Sequence, residues 1–376
     1  MKLKELKEPL AITMWDFSWL ERRWSGAGYE DWDVILDELV ERGYNAVRID
    51  AYPHLVSIDP EATWTVLPAW NQNDWGTPAR NRIQVQPNLN IFLRKCRDRG
   101  VLVGLSTWFQ RVEEANLHRI ITPAYHARIW QKTLDTIAAE GLLDTILFLD
   151  FCNEWPLDAW APFYLESPGE TRKWSARSSI DWMKAAIGEL RAIYPDIAYT
   201  FSNTACLELE KEDLGEVAGT LDLIEPHIWM VGANHGEFYR RINYNYERFD
   251  PKGYENVVRY AQELYEADSG YWDALLKGFI DSVSREAEIL GLPIITTECW
   301  SVVDYKDWPL LDWEWVKSSC EVGIRHAAQK GQWLAMATSN FCGPQFVGMW
   351  RDKDWHQEMT SIIKTAAMPG AGVKEA

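Results

Sequence analysis

Apolar runs of five to seven residues alternate with amphipathic stretches along almost the whole chain, and a glycine often stands where one passes into the other. Residues 34–42, Val-Ile-Leu-Asp-Glu-Leu-Val-Glu-Arg, repeat their apolar positions every three or four residues, as one face of a helix requires. Gly43 then separates them from the apolar run 44–50, and Gly100 separates the stretch 91–99 from the run 101–106 in the same way. Gly141, Gly291 and Gly331 likewise precede the runs 145–151, 293–297 and 333–338. Each glycine suits the left-handed residue that ends a helix and turns the chain back. A helix feeding a buried strand, many times over, spells βα units around a parallel sheet. With the runs 10–15, 197–202 and 221–227 there are eight candidate strands, which predicts an α/β fold: a (β/α)8 TIM barrel. No Gly-x-Gly-x-x-Gly follows any run, which disfavours a doubly wound nucleotide-binding sheet. No composition shift marks a second domain, so one barrel is expected over residues 1–368, with 369–376 a frayed tail. Two connections, 56–85 and 230–275, are long enough to wall a pocket at the C-terminal ends of the strands; the first carries Trp64, Trp70 and Trp75.

Polar residues at the ends of these runs supply the chemistry. Thr-Ile-Leu-Phe-Leu-Asp-Phe-Cys-Asn-Glu-Trp-Pro (145–156) delivers Asn153 and Glu154, and Leu-Pro-Ile-Ile-Thr-Thr-Glu-Cys-Trp-Ser (292–301) delivers Glu298. Side chains alternate along a strand, which groups Asp150 with Cys152 and Glu154, Arg48 with Asp50 and Tyr52, Glu225 with His227 and Trp229, and Thr296 with Glu298. So many charges inside a barrel must pair, and Arg48 is expected to bind Asp50 or Asp150 in a structural ion network. Two carboxyls at two strand ends are the minimum set for cleaving a glycosidic bond, one as acid and one as nucleophile. The indole rings of Trp15, Trp155, Trp229 and Trp300, at or beside strand ends, are candidates to stack on a sugar, and Asp16 joins them at the first strand end.

Charge and cysteine content narrow the field further. A formal net charge of −18 argues against a nucleic-acid or anionic-membrane partner, whose phosphates need a basic surface. No uncharged stretch is long enough for a membrane span, and residues 1–10 carry no signal-peptide core, so a cytoplasmic protein with buried, reduced cysteines is expected. The seven histidines include no pair at metal-ligand spacing, so neither metal nor other cofactor is expected, and a metal-dependent barrel hydrolase is disfavoured. Oligomeric state, including a homo-oligomer, is not legible.

The placement of Asn153-Glu154, Glu298, Arg48 and His227 resembles the clan A retaining glycoside hydrolases, in particular a divergent branch of the family 5 cellulase-like barrels. That resemblance implies that Glu298 is the nucleophile and Glu154 the acid/base, with a raised pKa on Glu154. It also implies that Asn153 meets the sugar 2-hydroxyl while Arg48 and His227 keep Glu298 ionised. The chain departs from the family pattern at Trp229, where a Tyr is usual, at Ser106-Thr107-Trp108, where a His is common, and over 333–341, where no Trp matches the one on the family's eighth strand. The expected function is that of a retaining glycosidase, exo-type or cleaving a small oligosaccharide or glycoside, with exo and endo action not distinguished by the sequence. A sugar-binding barrel without turnover and a transglycosylase using the same site are the alternatives.

Overall fold

The computed structural model describes residues 3–68, 80–116, 119–165, 172–204, 206–245, 251–305 and 311–369. Its strands are β1 (Leu10–Asp16), β2 (Ala46–Asp50), β3 (Thr63–Val66), β4 (Asn81–Gln84), β5 (Leu102–Ser106), β6 (Ile146–Asp150), β7 (Tyr199–Thr200), β8 (Ile228–Trp229), β9 (Ile294–Thr296), β10 (Cys299–Trp300) and β11 (Trp333–Ala337). Seven of them form a parallel sheet in the order β7-β6-β5-β2-β1-β11-β9.

The residues between β7 and β9 close that sheet into a barrel. Ile224 bridges Ile294 on one side and Pro226 bridges Asn203 on the other, both in parallel sense. The N–H of His227 donates to Asn203 O at 2.7 Å, and the N–H of Ile228 donates to Glu298 O at 3.0 Å, where β8 and β10 pair. The run 221–227, expected as a regular strand, is therefore reduced to alternating bridges. Pro226 lacks an N–H, so the ladder is interrupted there and regular pairing resumes only at Ile228.

Helices follow the strands as the glycine pattern predicts. Gly43, Gly100, Gly141, Gly291 and Gly331 all have positive φ, between 65° and 88°. Gly291 is typical: it ends the helix Ser269–Leu290 in the left-handed conformation, its N–H returned to Ala287 O and Glu288 O. The strands are buried throughout β1, β2, β6 and β11, because helices cover their outer faces and side chains fill the barrel.

In the first long connection, β3 and β4 form an antiparallel hairpin, with Thr63 opposite Gln84 and Val66 opposite Asn81. Trp64 is buried within it, while Trp70 and Trp75 lie outside the described residues. The second connection begins with the turn Met230–Gly232 and the helix Ala233–Arg241 directly above β8. The tail from 370 onward also lies outside the described residues. All six cysteines are free thiols, five of them buried. No helix among the described residues is long and apolar enough to cross a membrane.

Candidate active site

Arg48 occupies the centre of the barrel, fully buried, and organises the groups around it. Its Nη2 donates to Asp150 Oδ2 at 2.7 Å, to Asn153 Oδ1 at 2.8 Å and to Ser106 Oγ at 3.0 Å. Its Nη1 donates to Glu298 Oε1 at 3.0 Å and Thr297 Oγ1 at 3.2 Å, and Nε lies 3.4 Å from Glu225 Oε1. Burial by itself pulls the guanidinium pKa down, but Glu225, Asp150 and Glu298 more than reverse this and hold it firmly charged. The ring of Trp108 lies 4.7 Å beneath the guanidinium carbon. Asp150 is thus the ion-pair partner anticipated for Arg48. Asp50 is not: its two carboxylate oxygens accept the backbone N–H groups of Tyr52 at 2.7 Å and Trp108 at 2.9 Å, and burial raises its pKa to about 7.

Glu154 reaches the site by a route that strand alternation does not describe. β6 ends at Asp150, and Glu154 stands four residues beyond in a left-handed conformation, φ 48°. Such a backbone is costly for a residue with a Cβ and persists where its surroundings fix it. Here the N–H of Glu154 donates to Ser202 Oγ at 2.8 Å, with Asn153 N–H on Thr107 O and Trp155 N–H on Ser202 O either side. The carboxylate is held from both ends, accepting from His227 Nδ1 at 3.0 Å and from Trp160 Nε1 at 3.1 Å.

Glu298 follows β9 directly and is nearly buried. One oxygen of Glu154, one of Glu298 and a ring nitrogen of His227 all lie within 4.8 Å of one another. Burial pushes Glu298 up to about 7; His227 and Arg48 oppose the rise, and Glu154 adds to it. Burial also works against a charged His227, but Glu298, Glu154 and Glu225 outweigh it and raise the ring to about 10. His227 is therefore an imidazolium at neutral pH. Its hydrogen bond goes to Glu154 rather than to Glu298, whose nearest oxygen is 3.6 Å away. The three residues have the spacing of a metal site, and the guanidinium of Arg48 stands beside them, 3.0 Å from Glu298.

Above the carboxyl pair opens a cavity of about 260 Å³ that Asp16, Trp108, Asn153, Glu154, Trp160, Trp229, Glu298 and Asn340 line, with Leu157, Val231 and Val303 among its apolar walls. Of the residues singled out from the sequence, Asn153, Glu154, Glu298, Trp229 and Asp16 meet at this cavity, and Arg48 and His227 support it from below. Trp15, Trp155 and Trp300 do not line it. Trp15 is fully buried against Tyr29 and donates to Cys342 O at 3.1 Å. Trp155 packs on Tyr164 and Trp182, with centroids 4.4 and 5.7 Å away. Trp300 donates to Ala337 O at 2.9 Å, and its ring sits so close to Gly323 that a Cβ there would meet it at 2.7 Å.

The sequence reading passed over Trp160 and Asn340. Asn340 stands three residues after β11, a strand-end position of the same kind as Glu154 and Glu298, and that position is the signal that could have found it. Trp160 lies in a turn, and nothing in its local sequence separates it from the other tryptophans.

Comparison with known proteins agrees with this architecture. A family model described as sugar-binding cellulase-like matches residues 12–364. The crystal structure of a glycoside-hydrolase candidate from Parabacteroides distasonis ATCC 8503 is 50% identical, with 96% of this chain and 95% of that one covered and a TM-score of 0.91. The endo-β-1,4-mannanase of Thermotoga petrophila shares the fold at 10% identity, covering 100% of this chain and 80% of its own, with a TM-score of 0.55. A xyloglucan-specific β-1,4-glucanase from a ruminal metagenomic library does so at 12% identity, 100% and 98% coverage and a TM-score of 0.51. Among curated protein sequences, none matches the chain.

Proposed function

We propose that this chain, which belongs to the sugar-binding cellulase-like family, is a retaining glycosidase that removes a terminal sugar from a small glycoside. The observation that carries the reading is the closeness of the two carboxyls, whose oxygens lie within 4.8 Å. An inverting enzyme keeps its carboxyls about 6.5–9.5 Å apart to admit a water between carboxylate and sugar, whereas a retaining enzyme needs about 5–5.5 Å.

In the first step an oxygen of Glu298 bonds to the anomeric carbon as the bond to the leaving oxygen breaks, and Glu154 delivers its proton to that oxygen. In the second step Glu154 takes a proton from water, whose oxygen displaces Glu298. The reactive form of the pair thus carries one proton, on Glu154. In the free protein burial raises Glu298 to about 7, with Glu154 adding to the rise and His227 and Arg48 opposing it, so the site gives up a proton near that pH. Arg48 on Glu298 and His227 on Glu154 hold the two groups in place. The cavity of about 260 Å³ suits a single sugar ring better than a polymer, which favours exo-type action.

The pH dependence follows with a definite sign. Because the pair holds its last proton up to about pH 7, kcat/KM should fall above pH 7 as no acid remains. A profile that stays flat to pH 9 would remove the pair from its role. Glu154→Gln should slow aryl glycosides with poor leaving groups by roughly 10²- to 10⁴-fold, and those with activated leaving groups far less. Equal losses on both would take the acid role from Glu154. Trapping of Glu298 by a 2-deoxy-2-fluoro glycoside, read by peptide mass spectrometry, tests the covalent step directly; a sugar found with inverted configuration and no trapped peptide would exclude it.

A further inference from the structure

Three side chains of the cavity wall each leave one buried polar atom unsatisfied. Asp16, 1% exposed, spends Oδ1 on the N–H of Ser18, and its Oδ2 has no hydrogen-bond partner among the described residues. Asn340, 2% exposed, gives Nδ2 to Val303 O at 3.3 Å and leaves Oδ1 without one. Trp229 leaves its indole N–H without one. Buried polar atoms are nearly always paired, because one left unpaired has lost its water without gaining a partner. Three of them around one cavity, beside the carboxyl pair, are polar atoms kept for something that enters.

The charges around the cavity narrow what can enter. Among the described residues that line it are three carboxyls, Asp16, Glu154 and Glu298, and no Lys, Arg or His. The two cations beneath it are already bound, Arg48 by Glu298, Asp150 and Glu225, and His227 by Glu154. A ligand bearing its own carboxylate would find no cation in that lining free to pair with it.

We propose that Asp16, Asn340 and Trp229 form a hydroxyl-reading set that selects a neutral sugar ring and rejects a uronate, with Asp16 the specificity-determining member. The set faces the same cavity as the glycosidase reading, but its binding role does not need turnover. Asp16 has a left-handed backbone, φ 42°, which Asn tolerates as well as Asp does. Asp16→Asn also preserves the side-chain oxygen that accepts from Ser18 and replaces only the free acceptor by an amide donor. The substitution is therefore a local one.

The test is thermal stabilisation of the full chain by D-glucose, D-mannose, D-galactose, D-xylose, their monodeoxy forms and D-glucuronate, titrated to obtain Kd. At least one neutral sugar should stabilise the wild type, with D-glucuronate at least tenfold weaker. One monodeoxy form of that sugar should bind the wild type weaker by on the order of tenfold or more, because its absence strands a buried acceptor. In Asp16→Asn that penalty should shrink to within about threefold. Trp229→Phe, which removes the N–H together with part of the ring, supplies a second comparison at another member of the set should Asp16→Asn fold poorly. Stronger binding of D-glucuronate, no stabilisation by any neutral sugar, or an unchanged deoxy penalty in the variants would overturn the proposal. Turnover of aryl glycosides, read separately, decides the glycosidase reading: binding with no turnover would remove that reading and leave the hydroxyl-reading set standing.

Discussion

Glu298→Ala is expected to lower kcat/KM on aryl glycosides by roughly 10⁴- to 10⁶-fold, the scale on which removal of a covalent nucleophile acts. The reason is specific to this site. Glu298 stands two residues past β9 with Arg48 on one of its oxygens at 3.0 Å, and in the proposed mechanism it is the group that attacks the anomeric carbon. Glu154 is tied to His227 and Trp160, and in the proposed mechanism it faces the leaving group. Azide, small enough to enter the space the side chain leaves, should restore turnover of an activated glycoside and give a glycosyl azide of inverted configuration. A variant that keeps more than about a tenth of wild-type activity would remove Glu298 from the nucleophile role.

Arg48→Met should be the most destabilising single change at the site. Met matches the stem of Arg but takes away the cation that holds Asp150, Glu225 and Glu298 together. Breaking a buried ion pair by removing one partner costs about 3–5 kcal/mol, because the other partner stays buried and uncompensated. Here three carboxylates are left, so a loss at the upper end of that range is expected in denaturant titrations at pH 8. The sign of the pH effect follows from the same charges. Arg48 opposes the rise that burial imposes on Glu298, so without it Glu298 holds its proton to still higher pH, and the folded variant binds more protons than its unfolded chain. Stability of the variant should therefore rise as pH falls from 8 to 5, and the gap to wild type should narrow. Arg48→Lys is expected to recover little, since one ammonium does not span Asp150 and Glu298 as the planar guanidinium does. A loss below about 1 kcal/mol, or one equal at both pH values, would contradict this account.

Much of the fold is legible in the chain itself. Each glycine at a predicted helix end has the positive φ that its place demanded, because only local backbone geometry decides that feature. The parallel strands stand where bulky apolar runs stand, and Arg48, Glu225, His227 and Thr296 are all buried. The exception among the strands is the segment 221–227, where Pro226 breaks the ladder and tertiary bridges hold the chain in place. Local preference and tertiary closure differ there, and closure prevails.

The aromatic residues show where such reading stops. Trp155 and Trp300 each follow a glutamate at a strand end, yet both rings turn into packing, while Trp160 turns to Glu154. An indole beside a strand end is apolar enough for either place, and neighbours distant in sequence, Tyr164, Trp182 and Gly323, decide between them. The partners of the charged groups are settled in the same way. Composition and spacing required that Arg48 be paired, because an isolated buried charge is too costly. Which carboxylates it would bind depended on where β6 and β9 lie around the barrel, and the choice fell on Asp150 and Glu298 rather than Asp50.

By itself the sequence determined which residues carry charge, where strands end and where helices turn back, since hydrophobic period and glycine conformation act over a few residues. The tertiary structure alone decided that Glu154 stands in a left-handed turn, that His227 bonds Glu154 rather than Glu298, and that Asp16, Trp229 and Asn340 share one cavity wall. Those outcomes depend on contacts between segments scores to hundreds of residues apart, where burial and Coulomb attraction outweigh any local preference.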